Sequence, residues 1–345
     1  MSATKSLPKT YKAIVVESKG ADFKIVDREL KMPGANEVLV KTEACGICHS
    51  DSIGKDGHWP VPYPLVVGHE IVGRIVAVGS DVKSHKVGAR VGSGWEGGHC
   101  HVCTSCRKGA FACCEQGSIN GIKKDGGYAE YVLINQESVV RVPEELDAAE
   151  VAPLLCAGVT VFRAMKATEV KPGEVVAIQG IGGLGHLAIQ FARQAGYYVV
   201  ALSTSDDKKD LAFKLGAHEF IGTKDASKQV EALQKLGGAK VILATAPHGD
   251  SIGAVVPGLG LDGTLLVVAA AGPIKVDVNQ MIAKRTGVRA WASGSAIDSE
   301  ETITFAQRSG VKCLVERFTM DKVQEGYDKM MSNKARFRSV LVFDQ

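Results

Sequence analysis

Residues 180–185 read Gly-Ile-Gly-Gly-Leu-Gly, and their surroundings limit the fold more than any other stretch of the chain. An apolar run at 175–178 precedes the glycines, a helical apolar pattern follows over 187–195, and a second strand-like run occupies 199–202. Strand, glycine turn, helix and strand in that order make a βαβ unit. The alternation continues through helical patterns at 208–215 and 230–236 and short apolar runs at 220–221, 241–244 and 265–269, which predicts a doubly wound parallel sheet. Glycine allows a tight turn and close backbone approach, and the helix start offers free N–H groups to an anion. In this setting Gly180, Gly182, Gly183, Leu184 and Gly185 read as the turn that holds a dinucleotide pyrophosphate, whereas the hexapeptide by itself would pass for a plain glycine turn.

The first 150 residues have another texture, with short apolar segments at 13–16, 38–40 and 71–78 divided by Gly, Pro and Asp, which reads as β-rich. A last strand is expected at 339–343, returning to that first domain. A chain of 345 residues exceeds one ordinary core and implies two domains. With 45% hydrophobic and 23% charged residues, disorder is excluded. A net charge of +3 without a dense Lys/Arg run gives no surface for nucleic acid. The opening residues lack a secretory apolar core and no stretch is long enough to span a membrane, so the expected location is cytoplasmic. Thiols are kept reduced there, and clustered cysteines call for metal or catalysis.

Cys100, Cys103, Cys106 and Cys114 form C-x2-C-x2-C-x7-C between glycine-rich flanks. Short loops of this kind let sulfurs converge on tetrahedral Zn²⁺, and four thiolates leave no open position, so the site is structural. Cys113 is an alternative to Cys114. Further candidates are scattered: Cys48 in Cys45-Gly-Ile-Cys48, His69 in Gly68-His-Glu70, and Cys156. Two thiolates and an imidazole suit an open catalytic zinc, but no spacing rule joins them. Taken singly, Cys45 and Cys48 fit a redox pair, His69 a core histidine and Cys156 a small buried side chain.

With these motifs the chain resembles, almost end to end, the zinc-containing alcohol dehydrogenases of the medium-chain dehydrogenase/reductase superfamily, including its cinnamyl and yeast-type branches. The resemblance implies a GroES-like β-rich catalytic domain at 1–157 with the zinc lobe, a Rossmann domain at 158–293, and a return to the catalytic domain at 294–345. It implies two zinc ions per chain. Cys48, His69 and Cys156 fall on the catalytic ligands, Glu70 on the carboxylate near the metal, and Cys100, Cys103, Cys106 and Cys114 on the structural set. Cys45 falls outside the ligand set. Asp51 matches the carboxylate that orients His69, and Ser50 the hydroxyl that takes the alcohol proton. His49 and Arg338 match pyrophosphate contacts and Thr160 a neighbour of the nicotinamide. Where many relatives end the proton relay on histidine, this chain has Ile53, leaving release from the ribose to water, or His58, as the exit.

An NAD enzyme usually places Asp or Glu at the end of the second strand, where this chain has Ser203. The run Ser203-Thr204-Ser205-Asp206-Asp207-Lys208 offers hydroxyls and a lysine instead, which favours NADP with Lys208 on the 2′-phosphate; Asp206 and Asp207 argue for NAD. The implied substrate is a primary aliphatic or aromatic alcohol or its aldehyde, with Trp59, Trp95 and Ile119 as candidate pocket walls. A homodimer or homotetramer is expected. The competing readings are a zinc-free quinone or enoyl reductase, which would lack the ligand set, and a zinc-ribbon binding module, which would need neither the glycine turn nor a second metal site.

Overall fold

The segment Glu37–Ile47 folds as one eleven-residue strand in the computed structural model, which describes residues 7–344. The apolar run expected at 38–40 thus continues through Thr42 and Glu43, both buried. The strand tolerates a buried carboxylate because Glu43 is paired with Arg90 at 2.8 Å and Arg74 at 3.1 Å. Its extra length carries the chain directly to Cys48.

This strand is central in a seven-stranded sheet. Val315–Phe318, Arg338–Val342, Glu37–Ile47, Glu70–Val78, Arg90–Ser93 and Val140–Arg141 lie in that order, and Tyr131–Asn135 also pairs with Glu37–Ile47. The C-terminal strand runs antiparallel to it, with Val340 opposite Gly46 and Leu341 opposite Cys45, so the chain end is built into the first sheet. Beneath lies a core that includes Ile14, Ile71, Ile75, Tyr128 and Leu341.

The second sheet has six parallel strands: Glu219–Gly222, Tyr198–Ser203, Val175–Gln179, Ala239–Ala244, Leu259–Val267 and Gly287–Ala290. Numbered along the chain the order is 3-2-1-4-5-6, the doubly wound Rossmann arrangement, with its switch point beside Val175–Gln179. Val176, Ala177, Ile178, Val241, Ile242 and Leu243 are all buried, as strands covered on both faces require.

The chain separates into two compact units: Met1–Cys156 with Gly294–Ile303 and Cys313–Gln345, and Ala157–Ser293 with Thr304–Lys312. The sequence reading placed all of 294–345 in the first domain, but residues 304–312 belong to the second unit. The cause is packing: Phe305 lies 5.0 Å from the Phe162 ring, and Gln190 exchanges hydrogen bonds with the backbone N–H and C=O of Lys312 at 3.0 and 2.9 Å. Among the described residues no single helix is long and apolar enough to cross a membrane.

Candidate active site and metal centres

In the first unit, one ligand atom each from Cys48, His69, Glu70 and Cys156 lie within 4.8 Å of one another. Two adjacent strands and a turn bring them there. Cys48 follows the end of Glu37–Ile47, His69 immediately precedes Glu70–Val78, and Cys156 follows the short helix Ala152–Leu155. Gly46 faces Glu70 in the strand register, and a Cβ there would lie 1.8 Å from Glu70 Oε2. Glycine at 46 is therefore what lets the carboxylate fold over the strand into the cluster.

The Cys48 and Cys156 sulfurs are 3.8 Å apart and His69 Nε2 is 3.3 Å from Cys156 Sγ. Two thiolates at about 2.3 Å from a tetrahedral Zn²⁺ stand about 3.8 Å apart, so the sulfur spacing fits that ion. The proton balance fits as well. The hydrogen bond from the Cys156 thiol holds Cys48 well below the usual thiol range and pushes Cys156 well above it, so two buried thiolates need a cation between them. Glu70 is completely buried and its Oε2 has no hydrogen-bond partner, while Arg338 is ion-paired with its Oε1. Burial pushes the Glu70 carboxyl up to about 8, against the opposing pull of Arg338.

Asp51 sits behind the cluster. Its Oδ1 is 2.8 Å from His69 Nδ1, and its Oδ2 accepts the Cys48 N–H at 2.9 Å and the Tyr128 hydroxyl at 2.8 Å. A carboxylate on Nδ1 fixes the tautomer that leaves Nε2 free as a metal ligand. Ser50 is half-buried and its hydroxyl does not cap the helix Asp51–Lys55 that follows it. Ile53 is half-buried on that helix, and His58 is exposed. Trp95 stands edge-on to the His69 ring at 5.0 Å, and Trp59 meets Trp95 at 6.2 Å, so both tryptophans border the metal group. Ile119 lies in the strand Ser118–Ile119, opposite Glu96.

Cys45 is fully buried in the core and outside the cluster, which leaves it as a small apolar side chain and not a redox partner of Cys48. Two residues that sequence reasoning did not connect stand at the site: Tyr128, and Arg338 as the partner of Glu70. The only sequence sign of the first is an aromatic among glycines, Gly126-Gly-Tyr128, and that has no spacing relation to Asp51.

The second group joins Cys100, Cys103, Cys106 and Cys114. Cys100 and Cys106 sulfurs are 4.0 Å apart, Cys103 and Cys114 sulfurs 3.9 Å, again near the tetrahedral separation. Backbone N–H groups point at the sulfurs, from Cys103 to Cys100 at 3.4 Å and from Cys106 to Cys103 at 3.5 Å. Such donors bring Cys103 down to about 6, whereas burial pushes Cys106 up to about 12. Cys113 is exposed and outside the group, which leaves Cys114 as the fourth sulfur.

In the second unit Gly180 has φ +93°, and a Cβ on Gly185 would lie 1.9 Å from the Gly180 carbonyl oxygen. Around Gly182 a Cβ would meet nothing within 4 Å, so internal packing does not explain that glycine. The ten-residue helix Gly185–Gln194 has no side-chain cap at its start. Open space at Gly182 and a helix start with no side-chain cap suit a pyrophosphate. Ser203 ends its strand, and Thr204 beyond it is exposed. Asp206 turns back toward Gly222, where a Cβ would be 2.2 Å from its Oδ1, and Asp207 accepts the Ser205 hydroxyl at 2.9 Å. Lys208 Nζ donates to the Ile181 carbonyl at 2.7 Å, which draws it against the glycine turn. Thr160 is buried in the helix Ala157–Lys166, and His49 in the first unit is exposed.

Residues 34–144 match the family model of the alcohol dehydrogenase GroES-like domain, and residues 183–308 that of zinc-binding dehydrogenase. The chain is 47% identical over 334 residues to alcohol dehydrogenase patD of Penicillium expansum, covering 97% of this chain and 98% of that protein. Cinnamyl alcohol dehydrogenase SbCAD4 of Sorghum bicolor has a similar structure, with a TM-score of 0.89, 31% identity, and 97% and 98% of the two chains covered. The CAD structure from Helicobacter pylori, complexed with NADP(H), is similar with a TM-score of 0.86, 26% identity, and 96% and 98% covered.

Proposed function

The chain belongs to the zinc-type, NAD(P)-dependent alcohol dehydrogenases and is an oxidoreductase acting on alcohols, and from that premise we propose that it holds two zinc ions, prefers NADP and interconverts primary alcohols with their aldehydes. One observation carries the metal reading: two separate groups of buried or half-buried donors, each with sulfurs at the spacing of a tetrahedral ion. Cys48, His69 and Cys156 would hold the catalytic ion, with Glu70 beside it. Two thiolates, an imidazole and an open fourth place are the donor set described for alcohol dehydrogenases. Cys100, Cys103, Cys106 and Cys114 would hold the second ion, closed to substrate.

A zinc ion in the open site supplies a Lewis acid that makes an alcohol more acidic or polarises an aldehyde carbonyl, and a nicotinamide supplies or accepts the hydride. The protein's part is to hold geometry and move one proton. Asp51 keeps His69 in one tautomer, and Trp95 and Trp59 offer an apolar wall for the substrate carbon chain. Ser50 takes the alcohol proton, because a hydroxyl accepts one proton as it gives up another without holding charge. Ile53 stands where a histidine would continue the relay, so no side chain at that position would take the proton on from Ser50, and its exit would be to water. Ser50→Ala is expected to lower kcat about 10²-fold, the usual size of a general acid–base contribution, and unchanged turnover would remove Ser50 from the path.

For the cofactor, Gly180, Gly182, Gly183, Leu184 and Gly185 would cradle the pyrophosphate, and His49, Arg338 and Thr160 are the further residues that would meet the dinucleotide. The preference for NADP rests on Ser203 in place of a carboxylate and on Thr204, Ser205 and Lys208 as partners of the 2′-phosphate. Asp206 is folded back and Asp207 is occupied by Ser205, which weakens both as ribose acceptors. Catalytic efficiency measured for a panel of alcohols and aldehydes with both cofactors tests this reading. NADP is expected to lead, and a preference for NAD beyond about tenfold, roughly 1.4 kcal/mol, would reverse the cofactor assignment.

Assembly is read from the outer edge of the parallel sheet. Gly287–Ala290 is an edge strand, and Leu261, Val278 and Ile282 are 64%, 60% and 70% exposed. Unpaired backbone and exposed apolar side chains suit pairing with a second copy, as a homodimer or homotetramer, and the mass in solution is the check.

A further inference from the structure

Asp51 is wholly buried, and its carboxylate has three partners. Two of them, His69 Nδ1 and the Cys48 N–H, belong to residues of the proposed catalytic metal site. The third is the hydroxyl of Tyr128, which lies 77 positions further along the chain and has no place in that ligand set. Tyr128 is itself 0% exposed. Its backbone is fixed on both sides: its N–H donates to the Val67 carbonyl at 3.1 Å, and its carbonyl accepts the Ile14 N–H at 2.8 Å.

The ring is fixed too. It lies against Gly68, whose φ is +99° and where a Cβ would come within 2.3 Å of the ring's Cδ1. Phe23 packs against the ring at 6.0 Å. Gly68 is the residue immediately before His69, so the tyrosine touches the histidine's segment through its ring and the histidine's carboxylate through its hydroxyl. A carboxylate with donors on both oxygens cannot rotate without breaking a hydrogen bond. Without the phenol each oxygen keeps one donor, His69 Nδ1 on Oδ1 and the Cys48 N–H on Oδ2, so Oδ2 loses half its hold and turning the carboxylate breaks one bond fewer.

We propose that Tyr128 is a positioning residue of the catalytic metal site: its hydroxyl locks the rotation of Asp51, and through Asp51 it holds His69 with Nε2 turned toward the sulfurs. The inference rests on the metal reading given above. Partners behind a ligating histidine typically change metal affinity about 10- to 100-fold when removed.

Tyr128→Phe removes the donor and keeps the ring. In this variant zinc is expected to leave the catalytic site for a chelator about 10- to 100-fold faster than in the wild-type protein, with release from the lobe unchanged. The visible absorption of cobalt placed in the catalytic site should shift, and kcat should fall while KM for NADP stays the same. Asp51→Asn should also speed release, and adding Tyr128→Phe to it should add nothing further, because both act through one hydrogen-bonded unit. A merely structural tyrosine would lower Tm without moving the cobalt spectrum. Wild-type release and spectrum in Tyr128→Phe, or a full additional effect on top of Asp51→Asn, would overturn the inference. If Tyr128→Phe does not fold, Asp51→Asn decides alone, since unchanged zinc release there breaks the chain of contacts. Wild-type protein with zinc only in its lobe would overturn the metal reading along with this one.

Discussion

Cys156→Ala is expected to reduce alcohol oxidation by about 10⁴-fold or more, because Lewis-acid stabilisation of a developing alkoxide is worth several kcal/mol and each 1.4 kcal/mol is tenfold in rate. On the two-zinc reading the same variant should contain one zinc per chain and the wild type two. The reason lies in charge as much as geometry. Cys48 and Cys156, 3.8 Å apart, can both be thiolates only around a cation, and together they neutralise Zn²⁺. Removing one would leave an ion there with a single thiolate, beside His69 and a Glu70 already paired with Arg338, and the site is expected to lose it. The lobe sulfurs, a separate group, are untouched, so the remaining equivalent should resist brief chelation. Metal analysis with a turnover assay checks both halves. Two zinc ions in the variant, or activity within about tenfold of wild type, would remove Cys156 from the ligand set.

The four lobe cysteines were legible because they lie within fifteen positions of one another and local spacing alone brings their sulfurs together. The glycine turn was legible for the same reason, since strand, turn and helix are consecutive and their order fixes the handedness. Cys48, His69 and Cys156 are a different case: their meeting depends on the register of Glu37–Ile47 against Glu70–Val78 and on the turn after Ala152–Leu155, which no local pattern encodes. Only the resemblance to a family joined them.

Contacts formed by the end of the chain were hidden more completely. Arg338 reaches Glu70 across 268 positions because Arg338–Val342 is inserted beside Glu37–Ile47. From sequence it read as a cofactor contact, and the ion pair with Glu70 emerges only once the sheet order is known. The full length of Glu37–Ile47 was obscured by Lys41, Thr42 and Glu43, whose polarity ends the apolar run at Val40; the partner that makes Glu43 tolerable, Arg90, is 47 positions away. Tyr128 was missed for a related reason. A buried tyrosine announces its ring by apolar surroundings, but nothing in the sequence says which carboxylate its hydroxyl will meet.

Cys103→Ala should act on a different part of the molecule, with a large loss of local order and little change in the catalytic metal. The lobe has almost no core of its own. Its regular pieces are the three-residue strand Glu96–Gly98, the four-residue helix Thr104–Arg107, the 3-10 turn Phe111–Cys113 and the two-residue strand Ser118–Ile119. Val102 is 74% exposed, Cys106 is the one buried residue of that helix, and His101 has φ +63° without being glycine. Elements this short do not hold themselves together, so a metal on the four sulfurs would take the place of an apolar centre, and in small zinc modules such an ion supplies on the order of 10 kcal/mol. Cys103 has a double part, since its side chain also accepts the Cys106 N–H at the start of the helix. Its removal should release one zinc and open residues 99–117 to proteases while the parallel sheet, with its own core, keeps its protection. Limited proteolysis with mapping of the first cuts, alongside zinc analysis, reads the outcome. Cuts spread evenly over the chain would mean that the lobe and the rest unfold as one, and an uncut lobe without zinc would mean that the sulfurs are not its core.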